Sequence, residues 1–174
     1  MNALVEILKI FIPAAAVFAA SYFLVKRFLD NDQKRREHEL KTSAQAIITP
    51  LKIQAFERII IFLERINPNS LVIRVNKNNM NARQLHLELV NAVKTEYEHN
   101  LSQQIYVSEG AWQFVKTAKE EIIQLINISS SKVATDANSS DLAIMILNIT
   151  ANLDKKLPSE AAIEYLKKEI SLTL

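Results

Sequence analysis

The sequence predicts an all-α protein, with one N-terminal transmembrane helix followed by a cytoplasmic bundle of about five helices. Three observations predict it. The 174 residues include one Gly and four Pro. Average usage gives roughly twelve Gly at about 7%, and sheets joined by tight turns draw on Gly. Ile10 to Val25 is a run of 16 residues without a charge. Beyond residue 49, apolar residues recur at helical spacing in stretches separated by Asn, Ser and Pro. The expected organisation is an anchor over 1–28, a charged stalk over 29–48 and a helical domain over 49–174.

The anchor comes first in the chain. Extending the apolar run back to Ala3 gives 23 residues, interrupted only by Glu6 and Lys9. At 1.5 Å per residue the short version covers about 24 Å and the long one about 34 Å, against a hydrocarbon core of about 30 Å. Leu4, Ile10, Pro13, Phe18, Tyr22 and Val25 mark the expected span. Glu6 and Lys9, three apart, pair on one face near the interface, and Pro13 is tolerated inside a span. A cleaved signal peptide wants a basic start, a shorter apolar core and a small-residue cleavage site. Here Glu6 sits in the start and apolar residues continue past Ala20 through Tyr22, Phe23, Leu24 and Val25, so the segment reads as a retained anchor.

Basic residues set the expected orientation. Lys26, Arg27, Lys34, Arg35 and Arg36 follow the span, while Lys9 and the terminal amine precede it. The positive-inside rule then puts the N-terminus outside and residues 26–174 in the cytoplasm. The same five cations are candidates for contact with anionic lipid head groups. Asp30 to Glu39 is otherwise a solvated stretch with no apolar residue. Asn-x-Ser/Thr patterns begin at Asn100, Asn127, Asn138 and Asn148. In a cytoplasmic domain they are chance products of an Asn-rich chain.

The helices follow in order. Thr49-Pro50 reads as an N-cap with Pro at the first helical position, and the helix is expected to end at Ile66 before Asn67-Pro68. Its middle, Ile59-Ile60-Ile61-Phe62-Leu63, has no polar break, which predicts burial on most sides. Residues 67–81 hold six Asn and read as loop. Within them Leu71 to Val75 is β-prone, as is Ile105 to Val107. The two are candidates for a small two-stranded ribbon, with an apolar loop over the core as the alternative. Asn81 with Gln84 forms a capping-box pattern ahead of Leu85, Leu89, Val93, Tyr97 and Leu101. Ser108 caps the next helix, with Ala111, Val115, Ala118, Ile122, Leu125 and Ile126 on one face. Ser129 to Ser140 reads as a linker. A helix from Ser140 or Asp141 carries Leu142, Met145, Ile146, Ile149 and Leu153, with Lys155-Lys156 at its C-terminal end. After Leu157-Pro158 a last helix bears Ala162, Leu166 and Ile170.

The chemistry these residues offer is sparse. Without Cys there are no disulfides, Cys-ligated zinc, iron–sulfur clusters or thiol nucleophiles. The net charge of +2 excludes a strong nucleic-acid field, so no nucleic-acid partner is expected. A chain whose one Gly is Gly110 can build neither a glycine-rich phosphate loop nor a Gly-x-Ser-x-Gly elbow. Glu96-x-x-His99 has metal-ligand spacing, but ferritin-like bundles need two such motifs and two further Glu. His38 and His86 have no evident partner. No catalytic residue, cofactor site or metal site is assigned, and the expectation is that the protein is not an enzyme. Ile60, Phe62, Tyr106 and Trp112 are the partner-binding candidates. For Tyr106 and Trp112 the alternative is closure of the core at the helix junction.

Several stretches resemble an uncharacterised family of single-span membrane proteins found in Bacteroidota bacteria. They are Ala55-Phe56-Glu57-Arg58, Phe62-Leu63-Glu64-Arg65-Ile66, Pro68-Asn69-Ser70-Leu71, and Glu98 to Gln104 with Tyr106-Val107. The resemblance implies a bacterial inner-membrane location and transfers no catalytic role. The expected function is a membrane-anchored module that binds other membrane proteins, as an accessory or assembly subunit of an inner-membrane complex. Membrane lipids and a second copy of the chain are further expected partners. One alternative is a stator-like stalk resembling the b-type subunits of rotary ATPases, against which Pro50 and Pro68 break the helical pattern. Another is a membrane-bound enzyme or metal protein centred on Glu96 and His99.

Overall fold

The structure, a computed structural model, describes residues 2–134 and 136–173; for residues 2–6, 8, 10, 14 and 173 it describes the backbone alone. Among the described residues the chain forms six α-helices, one 3-10 helix and no strand. In order they are α1 (Asn2–Ile66), α2 (Pro68–Val75), α3 (Ala82–His99), the 3-10 helix Leu101–Tyr106, α4 (Glu109–Ser131), α5 (Ser139–Ala151) and α6 (Pro158–Thr173). The all-α class is that predicted. The chain divides into two compact units, 1–49 and 50–174.

In the first unit the described apolar side chains of α1 include many that are exposed. Phe18 is 75% exposed, Leu24 70% and Leu40 71%. Helix α1 also runs unbroken past Thr49-Pro50, where a helix start was expected. A Pro removes one i→i−4 hydrogen bond but does not oblige the helix to stop. The residues on both sides, Glu39 to Ile48 and Leu51 to Phe56, contain no Gly.

In the second unit the core is built from one face of each helix. Phe56, Ile59, Phe62, Leu63 and Ile66 of α1 pack with Leu85, Leu89 and Val93 of α3 and with Val115, Ile122 and Ile126 of α4. Leu142 and Ile146 of α5 and Leu166 of α6 complete it. The five-residue apolar run is buried at Ile59, Phe62 and Leu63, half-buried at Ile60 and 48% exposed at Ile61.

The proposed ribbon does not form. Leu71 to Val75 belongs to α2 and Ile105-Tyr106 to the 3-10 helix. The Asn67 side chain accepts from the Asn69 N–H at 3.1 Å, Pro68 occupies the first turn, and the Leu71 N–H donates to the Asn67 carbonyl at 2.8 Å. This start signal outweighs the β preference of Val and Ile, because Leu71 and Val72 reach the core from a helix.

Three boundaries also move. Helix α4 continues to Ser131, and the Ser129 and Ser131 hydroxyls donate back to the Leu125 and Ile128 carbonyls. Helix α5 starts at Ser139, where the Asn138 N–H donates to the Asp141 carboxylate at 3.0 Å. It ends at Ala151, short of Lys155-Lys156.

The starts of α3 and α5 are stitched together. Asn81 and Asn138 form an isolated antiparallel bridge, in which the Ala82 N–H donates to the Ala137 carbonyl at 3.0 Å and the Ser139 N–H to the Met80 carbonyl at 3.2 Å. The Asn81–Gln84 capping box is present in full, with bonds of 2.8 and 3.0 Å. Asn79, at φ 70°, supplies the left-handed residue that turns the chain into it.

Candidate functional site

A linked group of three charges joins α1, α2 and α3. Arg65 reaches Glu96 Oε1 through Nη2 at 2.6 Å and Nε at 2.7 Å. Arg74 stands 3.6 Å from the same oxygen and donates to the Arg65 carbonyl at 3.0 Å, capping the end of α1. The Glu96 side chain is 18% exposed, so the pair is partly shielded from solvent. A cleft of about 300 Å³ lies beside it, lined among others by Arg74, Lys77, Glu88, Thr95, Glu96 and His99.

This geometry assigns Glu96 to helix tethering. Its carboxylate faces two guanidinium groups, and His99, exposed at the end of α3, lines the same cleft. Among the described residues no three His, Asp or Glu side chains converge into a metal-holding group. His86 does have a partner: its Nε2 lies 2.8 Å from Asn127 Oδ1, linking α3 to α4. Three of the Asn-x-Ser/Thr asparagines thereby acquire structural roles. Asn127 binds His86, buried Asn100 donates to the Glu96 carbonyl at 2.8 Å, and Asn138 begins α5.

The partner-binding candidates separate into two groups. Phe62 is 1% exposed and Trp112 is 6% exposed. Tyr97 stacks on Trp112 at 5.6 Å between ring centroids and tilts against Phe62 at 6.0 Å, while Lys119 Nζ lies 4.6 Å over the Tyr97 ring. Burial, with a smaller contribution from the Glu120 charge, holds the Tyr97 phenol above its ordinary pKa. These aromatic rings close the core at the α1–α3–α4 junction, which for Trp112 is the alternative to partner binding. Ile60 and Tyr106 are half-buried.

Helix α6 docks on the start of α4 through contacts that sequence reading missed. The Glu169 carboxylate accepts from the Ser108 N–H at 2.8 Å and from the Ser108 hydroxyl, and so lies at the positive end of α4. Phe114 and Tyr165 stack at 4.5 Å. Gly110 sits beneath them: a Cβ at that position would lie 2.8 Å from the Tyr165 hydroxyl oxygen. The only signal in the sequence was the isolated Gly inside a helical pattern.

The expected head-group cations are all on α1. Arg35 pairs with Glu39 and Arg36 with Asp32, each at 2.9 Å and each four residues apart. Among the described residues Lys26, Arg27 and Lys34 make no such contact. Of the span residues, the side chains of Leu4 and Ile10 lie outside the described residues; Phe18, Tyr22 and Val25 are exposed, as is Pro13. Among the described residues no helix is long and apolar enough to cross a membrane.

The profile of a family of unknown function, DUF7935, matches residues 2–173. The chain belongs to that family. The match takes in nearly every residue, the first unit as well as the second. No curated protein and no solved structure matches the chain.

Proposed function

We propose that this member of the family is a membrane-anchored helical interaction module, an accessory or assembly subunit of a bacterial inner-membrane complex. In this reading the N-terminus is outside and residues 26–174 are cytoplasmic. The observation that carries it is the exposure of the apolar start of α1. Phe11 is 67% exposed, Val17 66%, Phe18 75%, Phe23 65% and Leu24 70%. Apolar surface of this density favours an apolar medium by about 25 cal/mol per Å² covered. Tyr22 and Phe23 followed by Lys26 and Arg27 is the order of an aromatic belt and a cytoplasmic charge cluster. Lys34, Arg35 and Arg36 lie about 13–17 Å further along the helix than Val25. Lys26 and Arg27 are therefore closest to the head groups, with Lys34, Arg35 and Arg36 further out.

The interaction role rests on the half-buried side chains of Ile60 and Tyr106, which the folded domain leaves partly accessible. The test is purification of the tagged full-length protein from its native membrane in mild detergent, with mass spectrometry of what accompanies it. A stoichiometric set of membrane proteins, weakened by Ile60→Ser or Tyr106→Ser in a protein that stays folded, supports the reading. Recovery of the protein alone at high yield contradicts it.

One observation favours a second reading, a stator-like stalk. The 65-residue α1 passes through Pro50, the residue expected to interrupt it. Light scattering on the detergent-solubilised protein separates the two: a stalk of this type requires a stable dimer.

A further inference from the structure

The geometry points to a break-and-cap switch in α1 at Thr49-Pro50, a conformational device independent of the membrane reading. Pro50 lies inside a 65-residue helix. Having no N–H, it leaves the Ala46 carbonyl without its regular donor, and its ring crowds that carbonyl. No tertiary packing supports this turn. Residues 40–51 are all exposed, and the first core residue of α1 is Ala55, at 0% exposure. One compact unit ends at Thr49 and the other begins at Pro50.

The same two residues form a helix-start signal. If residues 46–49 leave the helix, the Thr49 hydroxyl is placed to accept from one of the N–H groups freed at 51–52. Pro50 then occupies the first helical position, where its missing N–H costs nothing and its fixed φ is favourable. The hydrogen bond that opening would break at Pro50 is already absent. Opening is therefore cheaper here than at the exposed turns of α1 that hold no proline. Two forms follow, one continuous and one broken with Thr49 as the cap. In both, Phe56, Ile59, Phe62 and Leu63 keep the end of α1 in the core.

Amide hydrogen exchange on the full-length protein in detergent micelles tests this. Peptides covering 46–54 are expected to exchange faster than those covering 33–45 and 56–66. Pro50→Ala restores the missing donor and should slow exchange over 46–54 by about tenfold or more. Thr49→Asp supplies a stronger cap at similar helix propensity and should speed exchange there severalfold. It should leave 56–66 and 109–131 unchanged. Trp112 fluorescence verifies that each variant is folded. Uniform exchange across 33–54 that ignores Pro50→Ala overturns the switch. So does slowing by Thr49→Asp, which would mean a weak helix with no capped state.

Discussion

Gly110→Ala sets two effects of known size against each other. Position 110 lies in the first turn of α4, and its φ is not positive, so Ala is conformationally allowed. Ala is the better helix former by up to about 1 kcal/mol. Its Cβ, however, meets the Tyr165 hydroxyl oxygen at 2.8 Å, and the next ring atom, Cζ, is at 3.7 Å. The oxygen has to move, and Tyr165 moves only by disturbing its stack on Phe114, worth about 0.5–1.5 kcal/mol. The ring is 37% exposed, so it can yield. The two effects nearly cancel, and Gly110→Ala should change stability by less than about 1 kcal/mol. Tyr165→Phe removes the clashing atom and leaves ordinary contact. In that background Gly110→Ala should stabilise by about 0.5–1 kcal/mol. Urea unfolding followed through Trp112, the one Trp of the chain and 6% exposed, reads both values. Equal effects of Gly110→Ala in the two backgrounds would refute the reasoning, since Tyr165 would then not be the reason for a glycine. A loss above about 3 kcal/mol in both would place the conflict in the backbone.

Other consequences follow from the same contacts. Glu96→Gln keeps the shape but removes the charge facing Arg65 and Arg74. With Arg65 47% exposed, the expected loss is about 1–2 kcal/mol, shared non-additively with Arg65→Met in a double-mutant cycle. Asn81→Ala removes the α3 cap at the bridge to α5 and should cost about 1 kcal/mol by the same unfolding assay. Lys156 and Glu164 bond at 2.6 Å, and this bond raises the Lys156 pKa and lowers that of Glu164. Their contribution is therefore fully present only above the ordinary Glu value of 4.5 and below the ordinary Lys value of 10.5. It fades as pH falls through the depressed Glu164 value or rises through the elevated Lys156 value. Both groups are on the surface, so the effect should be small in a pH series of wild type against Glu164→Gln and should disappear in high salt.

What the sequence disclosed followed from local chemistry. The Gly shortage gave the all-α class, the Asn81–Gln84 spacing gave a capping box, and the stripes at Leu85–Val93 and Ala111–Ile126 named the core faces of α3 and α4. The readings that failed depended on partners distant in the chain. Leu71 to Val75 has strand propensity, but no strand lies beside it, and Asn67-Pro68 starts a helix instead. Arg65 holds the Glu96 carboxylate from thirty-one residues earlier in the chain, a contact that no local spacing announces. His86 found Asn127, and Ser108 found Glu169 sixty-one residues away. Neither distance leaves a mark in a local pattern. At Thr49-Pro50 the local start signal and the continuous helix disagree.

The central claim is that the start of α1 lies in a membrane with the domain on the cytoplasmic side. The measurement that tests it most directly is alkaline extraction of native membranes combined with single-cysteine labelling, and the absence of native Cys makes each introduced thiol unique. The account predicts that the protein resists extraction. It also predicts that Asn2→Cys reacts with an impermeant reagent in intact cells, while Gln45→Cys reacts only after the membrane is opened. Release into the alkaline supernatant would contradict the anchor, and the reverse labelling pattern would contradict the orientation.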